Sequence, residues 1–353
     1  MPTHPPARRA ILVLGMHRSG TSALSRVVNL LGAAGPARPI SPGPDNPRGF
    51  WEPETVVLLN DEVLTAGGSS WADWTRSDAE RLAPAALAAF RPRMEAILDA
   101  EYGTAPLFVL KDPRLSRLLP LWQPALSALG AVPCALIALR HPAAVARSLA
   151  TRNGLPPELS TLLWLRHVLD AERLTRGMAR DFVSYDALLA DWRGTIARAG
   201  ARLGLDWPVG IGSAAENIAG FLDETLRHAP AEEVVLSSAY AEVWTRHAWQ
   251  ALRALEQSGA ADASLTALDR VRAQFEDACR LFAPSTRREF TAAAPRRDGR
   301  PDLRAVTLCA AADSAYVPLT ARAMRASAER CRFGDAVLFT DAAPPERPEP
   351  FRS

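Results

Sequence analysis

The chain has 353 residues, of which 48% are hydrophobic and 23% are charged, and its formal net charge is +2. This length suits about two domains, and the composition is that of an ordinary globular protein. The small net charge argues against a broad basic surface for nucleic acid. The N-terminal apolar run, residues 10–14, is far too short for a membrane span or a secretory signal.

Strands and helices alternate from residue 10 to about residue 203. The predicted strands are 10–14, 106–111, 132–139 and 181–184, and the predicted helices are 24–31, 53–63, about 77–100, 115–128, a segment from Pro142, 157–178 and a segment ending near Leu203. Continuous apolar runs such as 132–139 are typical of strands covered on both faces. We therefore predict an α/β fold of the P-loop type, with three layers and a central parallel sheet flanked by helices.

The remainder of the chain differs in character. Residues 214–282 predict a mainly helical C-terminal part, and residues 283–303 have the Pro-, Arg- and Ala-rich composition of a linker. A strand at 305–310, a helix at 318–329 and a strand at 336–340 then form one βαβ unit. We predict three parts: a first domain at 8–282, a linker at 283–303 and a partial second domain at 304–353.

The first strand runs into a glycine-bounded loop, Gly-Met-His-Arg-Ser-Gly-Thr-Ser at residues 15–22. A helix begins there, so free N–H groups and the helix dipole favour an anion. Arg18, Thr21 and Ser22 add donors suited to phosphate-like oxygens. Thr21 stands where a Walker A loop requires lysine, which disfavours a nucleoside triphosphatase but not another phosphate-like ligand. The alternative is a tight turn that binds nothing.

A second constellation follows the third strand. Arg140 ends that strand, and Ser148 lies in the second turn of the next helix. Both can face the crevice at the carboxyl ends of the strands, where open α/β sheets bind ligands. A cation and a hydroxyl suit a second phosphate. The alternative is an ordinary strand-end arginine and an ordinary helix serine.

Together these motifs resemble sulfotransferases that use 3′-phosphoadenosine 5′-phosphosulfate (PAPS), especially the bacterial and Golgi carbohydrate enzymes. In that family a Gly-rich loop grips the 5′-phosphosulfate, and an Arg-x-Pro-x5-Ser pattern grips the 3′-phosphate; Arg140, Pro142 and Ser148 have that spacing. The resemblance covers about residues 8–282. The cofactor-binding residues that it implies are Gly15, Arg18, Ser19, Gly20, Thr21, Ser22, Arg140, Ser148, Tyr185 (near the adenine) and Arg227 (near the 3′-phosphate). For Tyr185 the alternative is core packing, and for Arg227 it is a solvated cation at a helix end.

Sulfuryl transfer needs charge stabilisation and a base, but no metal. Lys111 and Arg18 are suitable cations, and Asp112 is a candidate to hold one of them. The alternative for this segment is a salt-bridge network at the end of the strand. Cytosolic family members carry a base histidine where this chain has Pro113. The resemblance to the carbohydrate enzymes instead implies Glu52, for which the alternative is an acid that complements a helix dipole. His17 is a further candidate base, with loop packing as its alternative.

The sequence thus predicts in-line transfer of a sulfuryl group from PAPS to a hydroxyl, with an amine less favoured, of a carbohydrate or glycoconjugate acceptor, leaving adenosine 3′,5′-bisphosphate (PAP). Aromatic platforms for a sugar ring would come from Trp51, Trp71 and Trp74, unless these pack in the core. The alternatives are a divergent P-loop kinase and an inactive sulfotransferase-like binding module.

The tail from residue 304 resembles the opening of a glycosyltransferase domain, which implies fusion to or pairing with such an enzyme. Four cysteines without metal-site spacing predict buried thiols in a reducing, cytoplasmic compartment.

Overall fold

The structure is a computed structural model that describes residues 8–43, 46–75, 84–222, 239–259, 262–290, 302–312 and 332–340. The chain divides into two compact units, Met1–Arg280 and Leu281–Ser353. In the first unit the strands are β1 (Arg8–Leu14), β2 (Leu107–Lys111), β3 (Ala131–Leu139) and β4 (Arg180–Ser184).

Eleven helices lie in the described residues. They are α1 (Thr21–Leu30), α2 (Glu54–Ala66), α3 (Pro84–Tyr102), α4 (Leu115–Ala128), α5 (Pro142–Asn153), α6 (Pro157–Leu174), α7 (Tyr185–Ala190), α8 (Trp192–Leu203), α9 (Ala215–Phe221), α10 (Ala239–Ser258) and α11 (Asp262–Phe290). None of them combines the length and the apolar character needed to cross a bilayer.

The four strands form one parallel sheet in the order β2-β1-β3-β4. Its register pairs Val13 with Lys111, Leu14 with Ile137, and Leu139 with Ser184. The carboxyl ends of all four strands therefore meet along one edge. The residues that follow them, including the loop after β1, are brought together there although they lie far apart in sequence.

Helices cover both faces of this sheet, which gives three layers. Alternate residues of β1 enter different cores: Ala10, Leu12 and Leu14 pack with residues of α3, α4 and α6, whereas Ile11 and Val13 pack with residues of α1 and α8. Burial on both faces explains why the strands read as continuous apolar runs. The predicted α/β fold, its parallel sheet and its mainly helical C-terminal part are confirmed.

The boundaries differ from prediction in two places. The helix expected to end near Leu203 is two helices, α7 and α8, because Asp191 leaves the helical conformation and its side chain caps the second helix by accepting from the Gly194 N–H. The helix predicted at 77–100 is described from Pro84, with Pro92 inside it; residues 77–83 lie outside the described residues.

The second unit contains two described strands, β5 (Asp302–Ala312) and β6 (Arg332–Thr340), which pair in parallel with a register shift between Leu303 and Thr307. Helix α11 continues to Phe290, into the segment 283–303 predicted as a linker. The helix predicted at 318–329 lies outside the described residues. The division into a first domain, a linker and a partial second domain stays a prediction.

Gly15 lies where the loop after β1 passes closest to β3, so a substitution there tests how tightly the loop packs on the sheet. Its φ is +127°, and a Cβ there would lie 2.5 Å from the backbone oxygen of Ala138 on β3. We expect Gly15→Ala to lower the free energy of unfolding by about 3 kcal/mol or more, because neither β3 nor the loop can move aside. Gly154→Ala is the matched control: its φ is +65° and nothing lies within 4 Å of the added Cβ, so about 1 kcal/mol is expected. Equal losses in urea unfolding would contradict this account.

Candidate active site

The loop after β1 turns sharply because three of its residues adopt positive φ: Gly15 at +127°, Arg18 at +67° and Gly20 at +85°. Glycine adopts such angles without strain, whereas a left-handed arginine costs about 1 kcal/mol. The start of the loop is held by Ser116 on α4, whose Oγ accepts from the Gly15 N–H at 2.9 Å. The loop is thus anchored to the sheet and strained at Arg18.

The end of the loop presents the N-terminus of α1 to the cavity. Among the described residues, no side chain caps this helix and no acidic residue lies in its first turn. The Oγ of Ser19 is buried and has no partner in the described part of the chain. Free N–H groups at a helix start bind anions, and buried polar atoms normally have partners. The arrangement therefore fits a phosphate-like group.

The two predicted anion motifs meet at Arg18. Its Nε donates to Ser148 Oγ at 2.8 Å, and its backbone oxygen accepts from Nη1 of Arg140 at 3.0 Å. Arg140 is held in turn by Trp164 on α6, whose Nε1 donates to the Arg140 carbonyl at 3.2 Å. The strand-end arginine and the helix serine are therefore parts of one site, which was not derivable from either motif alone.

Tyr185 packs against both motifs. It is the first residue of α7, which Ser184 caps by accepting from the Ala187 N–H. The Arg140 guanidinium lies 5.1 Å from the centre of the Tyr185 ring, and the ring lies so close to Gly20 that a Cβ there would collide with it. Arg227, the remaining predicted cofactor residue, lies outside the described residues.

Lys111 and Glu52 form a buried ion pair beside the loop. Lys111 is 2% exposed, and its Nζ donates to the Glu52 carboxylate, to the Phe50 carbonyl at 2.9 Å and to Ser22 Oγ at 3.2 Å. Burial raises the pKa of the Glu52 carboxyl above its ordinary value, although the nearby Lys111 ammonium opposes this shift. A carboxylate with a raised pKa next to a cation has the character of a general base.

Asp112 does not hold Lys111 or Arg18, the role that the sequence suggested. Its carboxylate accepts from Asn60 Nδ2 at 2.8 Å, from the Arg114 N–H at 3.1 Å and from Arg114 Nη1 at 3.0 Å. The side chains of Lys111 and Asp112 diverge because successive residues of an extended chain point to opposite sides. Asp112 therefore holds Arg114 and the start of α4.

His17 combines packing with access to the cavity. Its ring lies 4.9 Å from that of Trp71 and 6.0 Å from that of His167 on α6, measured between ring centres. Burial, together with the charge of Arg114, holds the pKa of His17 well below its ordinary value. His17 is therefore neutral at physiological pH.

All these elements enclose a cavity of 630 Å³, a size typical of small-molecule sites. The predicted residues that line it are His17, Arg18, Gly20, Thr21, Ser22, Glu52, Lys111, Arg140 and Tyr185. Three other predicted residues that the structure describes, Gly15, Ser19 and Ser148, are not part of this lining. Of the described lining residues, five are cations and one is a carboxylate, so the cavity favours an anionic ligand.

The sequence reasoning missed several lining residues, chiefly Asn46, Arg48, Phe50 and Arg152. Arg152 had a usable signal, since it lies one helical turn after Ser148 and therefore on the same face of α5. Arg48 and Phe50 belong to the Pro- and Gly-rich loop before α2, where no periodicity indicates which side chains turn inward.

The three tryptophans proposed as acceptor platforms are not among the described residues that line the cavity. Trp51 packs under Arg26 at 4.4 Å, Trp71 against His17, and Trp74 against Phe275 at 6.0 Å. The aromatic side chains that reach the cavity are instead Phe50, Tyr185 and Phe221. The described residues also contain no cluster of three or more His, Cys, Asp or Glu side chains able to hold a metal ion.

No family model matches the chain, and no curated protein matches it. Among solved structures, it is similar to a sulfotransferase domain from the Synechococcus PCC 7002 olefin synthase (TM-score 0.40, 19% identity, covering 70% of this chain and 97% of that one). A sulfotransferase domain from the curacin biosynthetic pathway has a TM-score of 0.38 and 14% identity, over 68% and 96% of the two chains. Retinol dehydratase, in complex with androsterone and the inactive cofactor PAP, has a TM-score of 0.33 and 19% identity, over 61% and 64%. Structural similarity at these TM-scores does not by itself indicate function, so the residues of the site have to indicate it.

The buried His167 makes the structure sensitive to acid. Its Nδ1 bonds the Leu163 carbonyl at 2.8 Å, and burial, aided by the charge of Arg117, lowers its pKa to about 3. In the unfolded chain His167 takes up a proton near pH 6.5. As the pH falls below that value, the unfolded state binds more protons than the folded state, so stability is lost.

We expect His167→Asn, which keeps a donor for Leu163, to reduce this loss. Between about pH 6 and 4.5, the free energy of unfolding of the wild type should fall by about 1.4 kcal/mol per pH unit more than that of the variant. Urea unfolding at several pH values measures both slopes. Parallel slopes for wild type and His167→Asn would contradict the assignment.

Proposed function

We propose that this protein is a sulfotransferase that moves the sulfuryl group of PAPS to a hydroxyl of a small-molecule or glycan acceptor. The observation that supports the proposal is that the two predicted anion motifs meet beside one cavity, which Arg18 and Arg140 both line. The loop at residues 15–22 and the Arg140–Ser148 pair meet through Arg18. PAPS has two phosphate groups, at its 5′ and 3′ positions, and so needs two such sites.

The residues present fit PAPS group by group. The N-terminus of α1, with Thr21, Ser22 and the orphaned Ser19 hydroxyl, suits the 5′-phosphosulfate. Arg140 and Ser148, together with the predicted Arg227, suit the 3′-phosphate. The ring of Tyr185, packed between Gly20 and Arg140, suits contact with the adenine.

The absence of a Walker lysine also fits PAPS better than ATP. Thr21 follows the second glycine of the loop, and the nearby ammonium comes from Lys111 at the end of β2. Lys111 Nζ bonds Ser22 Oγ at the start of α1, so its charge lies at the N-terminus of the helix proposed to bind the phosphosulfate. A γ-phosphate would need a cation further along the nucleotide.

PAPS supplies a sulfuryl group whose bond to the 5′-phosphate oxygen breaks as the acceptor oxygen bonds to sulfur. Lys111 and Arg18 stabilise the negative charge that develops on the sulfuryl oxygens and the leaving phosphate. Glu52 takes the proton of the acceptor hydroxyl, which its raised pKa favours. The product is PAP, and no metal enters this scheme.

A carbohydrate acceptor, with an amine as the less favoured group, remains part of the proposal. It rests on the sequence resemblance to carbohydrate enzymes and not on the tryptophans, which pack away from the cavity. Pairing with a glycosyltransferase and a cytoplasmic location also stay predictions from the sequence.

Binding of PAP tests the nucleotide site directly. In calorimetry we expect PAP to bind and ATP to bind at least tenfold more weakly. Arg140→Met should weaken PAP binding by roughly 10- to 100-fold, because a charge-assisted hydrogen bond contributes about 1.5–3 kcal/mol. The control is Arg91→Met, which alters an exposed arginine paired with Glu95 on α3. Binding of ATP in preference to PAP would refute the proposal and favour a divergent kinase.

Glu52→Gln tests the base. The amide still accepts a hydrogen bond from Lys111, so PAP affinity should stay within about threefold. Transfer of labelled sulfate from PAPS to a sugar panel should fall by roughly 100-fold or more, the usual contribution of a general base. Glu54→Gln is the matched control, because Glu54 is exposed in the first turn of α2 and can serve only the helix dipole. Unimpaired transfer by Glu52→Gln would remove Glu52 from the chemistry. PAP binding by the wild type without transfer to any acceptor would favour an inactive binding module.

A further inference from the structure

His17 occupies the loop that binds the nucleotide, yet no part of the proposed nucleotide site uses it. The left-handed backbone at Arg18 separates two neighbouring side chains. Arg18 reaches Ser148 on α5, whereas the His17 ring lies against Trp71. The side chains of His17 and Arg18 therefore point in different directions, that of Arg18 toward Ser148 and that of His17 toward Trp71.

The His17 side chain opens on the same cavity as the ion pair of Lys111 and Glu52, because His17, Glu52, Lys111 and Pro113 all line it. An attacking hydroxyl has to lie in this cavity, within reach of the proposed base.

The two nitrogens of the His17 ring are in different surroundings. Nε2 is buried without a partner in the described part of the chain. Nδ1 also bonds no described residue, but it is not fully buried. Because the His17 side chain lines the cavity, Nδ1 is the ring nitrogen that a molecule in the cavity can reach. Trp71 and His167 flank the ring and limit its rotation. One hydrogen-bonding atom is thus held at the cavity wall with nothing in the described protein to bind.

The charge state of His17 decides what it can do there. Burial and the charge of Arg114 keep its pKa well below the ordinary value, so the ring resists taking up a proton. A neutral imidazole still has one N–H donor and one acceptor nitrogen. His17 is therefore suited to orienting an acceptor rather than to deprotonating it.

We propose that His17 positions the acceptor for sulfuryl transfer by donating a hydrogen bond from Nδ1 to the attacking hydroxyl oxygen. That oxygen has one proton, which passes to Glu52, and two lone pairs. One lone pair forms the bond to sulfur, and the other accepts from His17. The inference rests on the proposed function and adds an acceptor-binding residue to it.

Three substitutions separate this role from packing. The amide of His17→Asn can place a donor near the position of Nδ1, whereas the longer His17→Gln places it near Nε2, away from the cavity. His17→Phe keeps an aromatic ring against Trp71 but has no donor. We expect His17→Asn to retain activity within about threefold, and His17→Gln and His17→Phe to lose roughly 10- to 100-fold, which corresponds to about 1.4–2.7 kcal/mol.

The measurement is the release and transfer of labelled sulfate from PAPS. Water alone serves as one acceptor, and the best sugar of the panel as the other. For the sugar, the loss should appear mainly in the KM of the acceptor, while the affinity for PAP by calorimetry stays within about threefold of the wild type. His247→Gln, which alters an exposed histidine on α10, is the control and should change neither quantity.

Full activity of His17→Phe, or an activity of His17→Asn as low as that of His17→Phe, would overturn the inference and leave His17 a packing residue. If His17→Phe fails to fold or binds PAP poorly, the comparison of the Asn and Gln variants gives the answer, and equal activities would refute a role for Nδ1. Failure of the wild type to bind PAP would instead refute the proposed function. PAP binding without any sulfate release would refute transfer, and this inference with it.

Discussion

The site depends on a backbone constraint: three positive φ angles within six residues at the end of β1. At Gly15 the chain passes so close to β3 that no side chain fits, and at Gly20 it passes equally close to Tyr185. Between them Arg18, a residue for which this conformation is strained, directs its side chain to Ser148. Strain of this kind persists only where the surroundings impose it. Here contacts with the sheet, α4 and α5 hold the loop in this conformation, and the uncapped N-terminus of α1 follows it.

Electrostatics separates this site from the other charged clusters of the protein. In the helical layer, the buried Glu172 is surrounded by Arg176, Arg180 and Arg272, and the bonds from Arg176 and Arg272 outweigh burial and lower its pKa. Such a network ties α6, β4 and α11 together and is satisfied within the protein. The cavity is different, because cations outnumber carboxylates among its described lining residues. The first arrangement supports the fold, and the second favours a negatively charged ligand.

The proposed chemistry gives the residues of the site two separate roles. Arg140, Ser148 and Tyr185 are proposed to hold the nucleoside part of PAPS, whereas Glu52, Lys111 and His17 are proposed to serve the acceptor and the transferred group. Loss of PAP affinity and loss of transfer are therefore separable effects, since different residues cause them. Among the described lining residues, Phe50 has the Arg152 guanidinium close to its ring.

By itself the sequence determined the α/β alternation, the parallel sheet and the anion loop, because apolar periodicity and a glycine-bounded strand-to-helix turn are local properties. The sequence also indicated Arg140 and Ser148 as a pair, because their spacing from a strand end into the following helix is a local pattern too. Only the tertiary structure decided that Arg18 joins the two motifs, that Glu52 pairs with Lys111, and that Asp112 holds Arg114 instead. Asp112 and Arg114 are only two positions apart, but the direction of the Asp112 side chain depends on how the chain leaves β2. The contacts of Arg18 and Glu52 depend on sheet register and loop path, which bring together residues 59 to 130 positions apart. No periodicity in the sequence encodes that distance, so His17 and the tryptophans could not be told apart as cavity and packing residues before the fold was known.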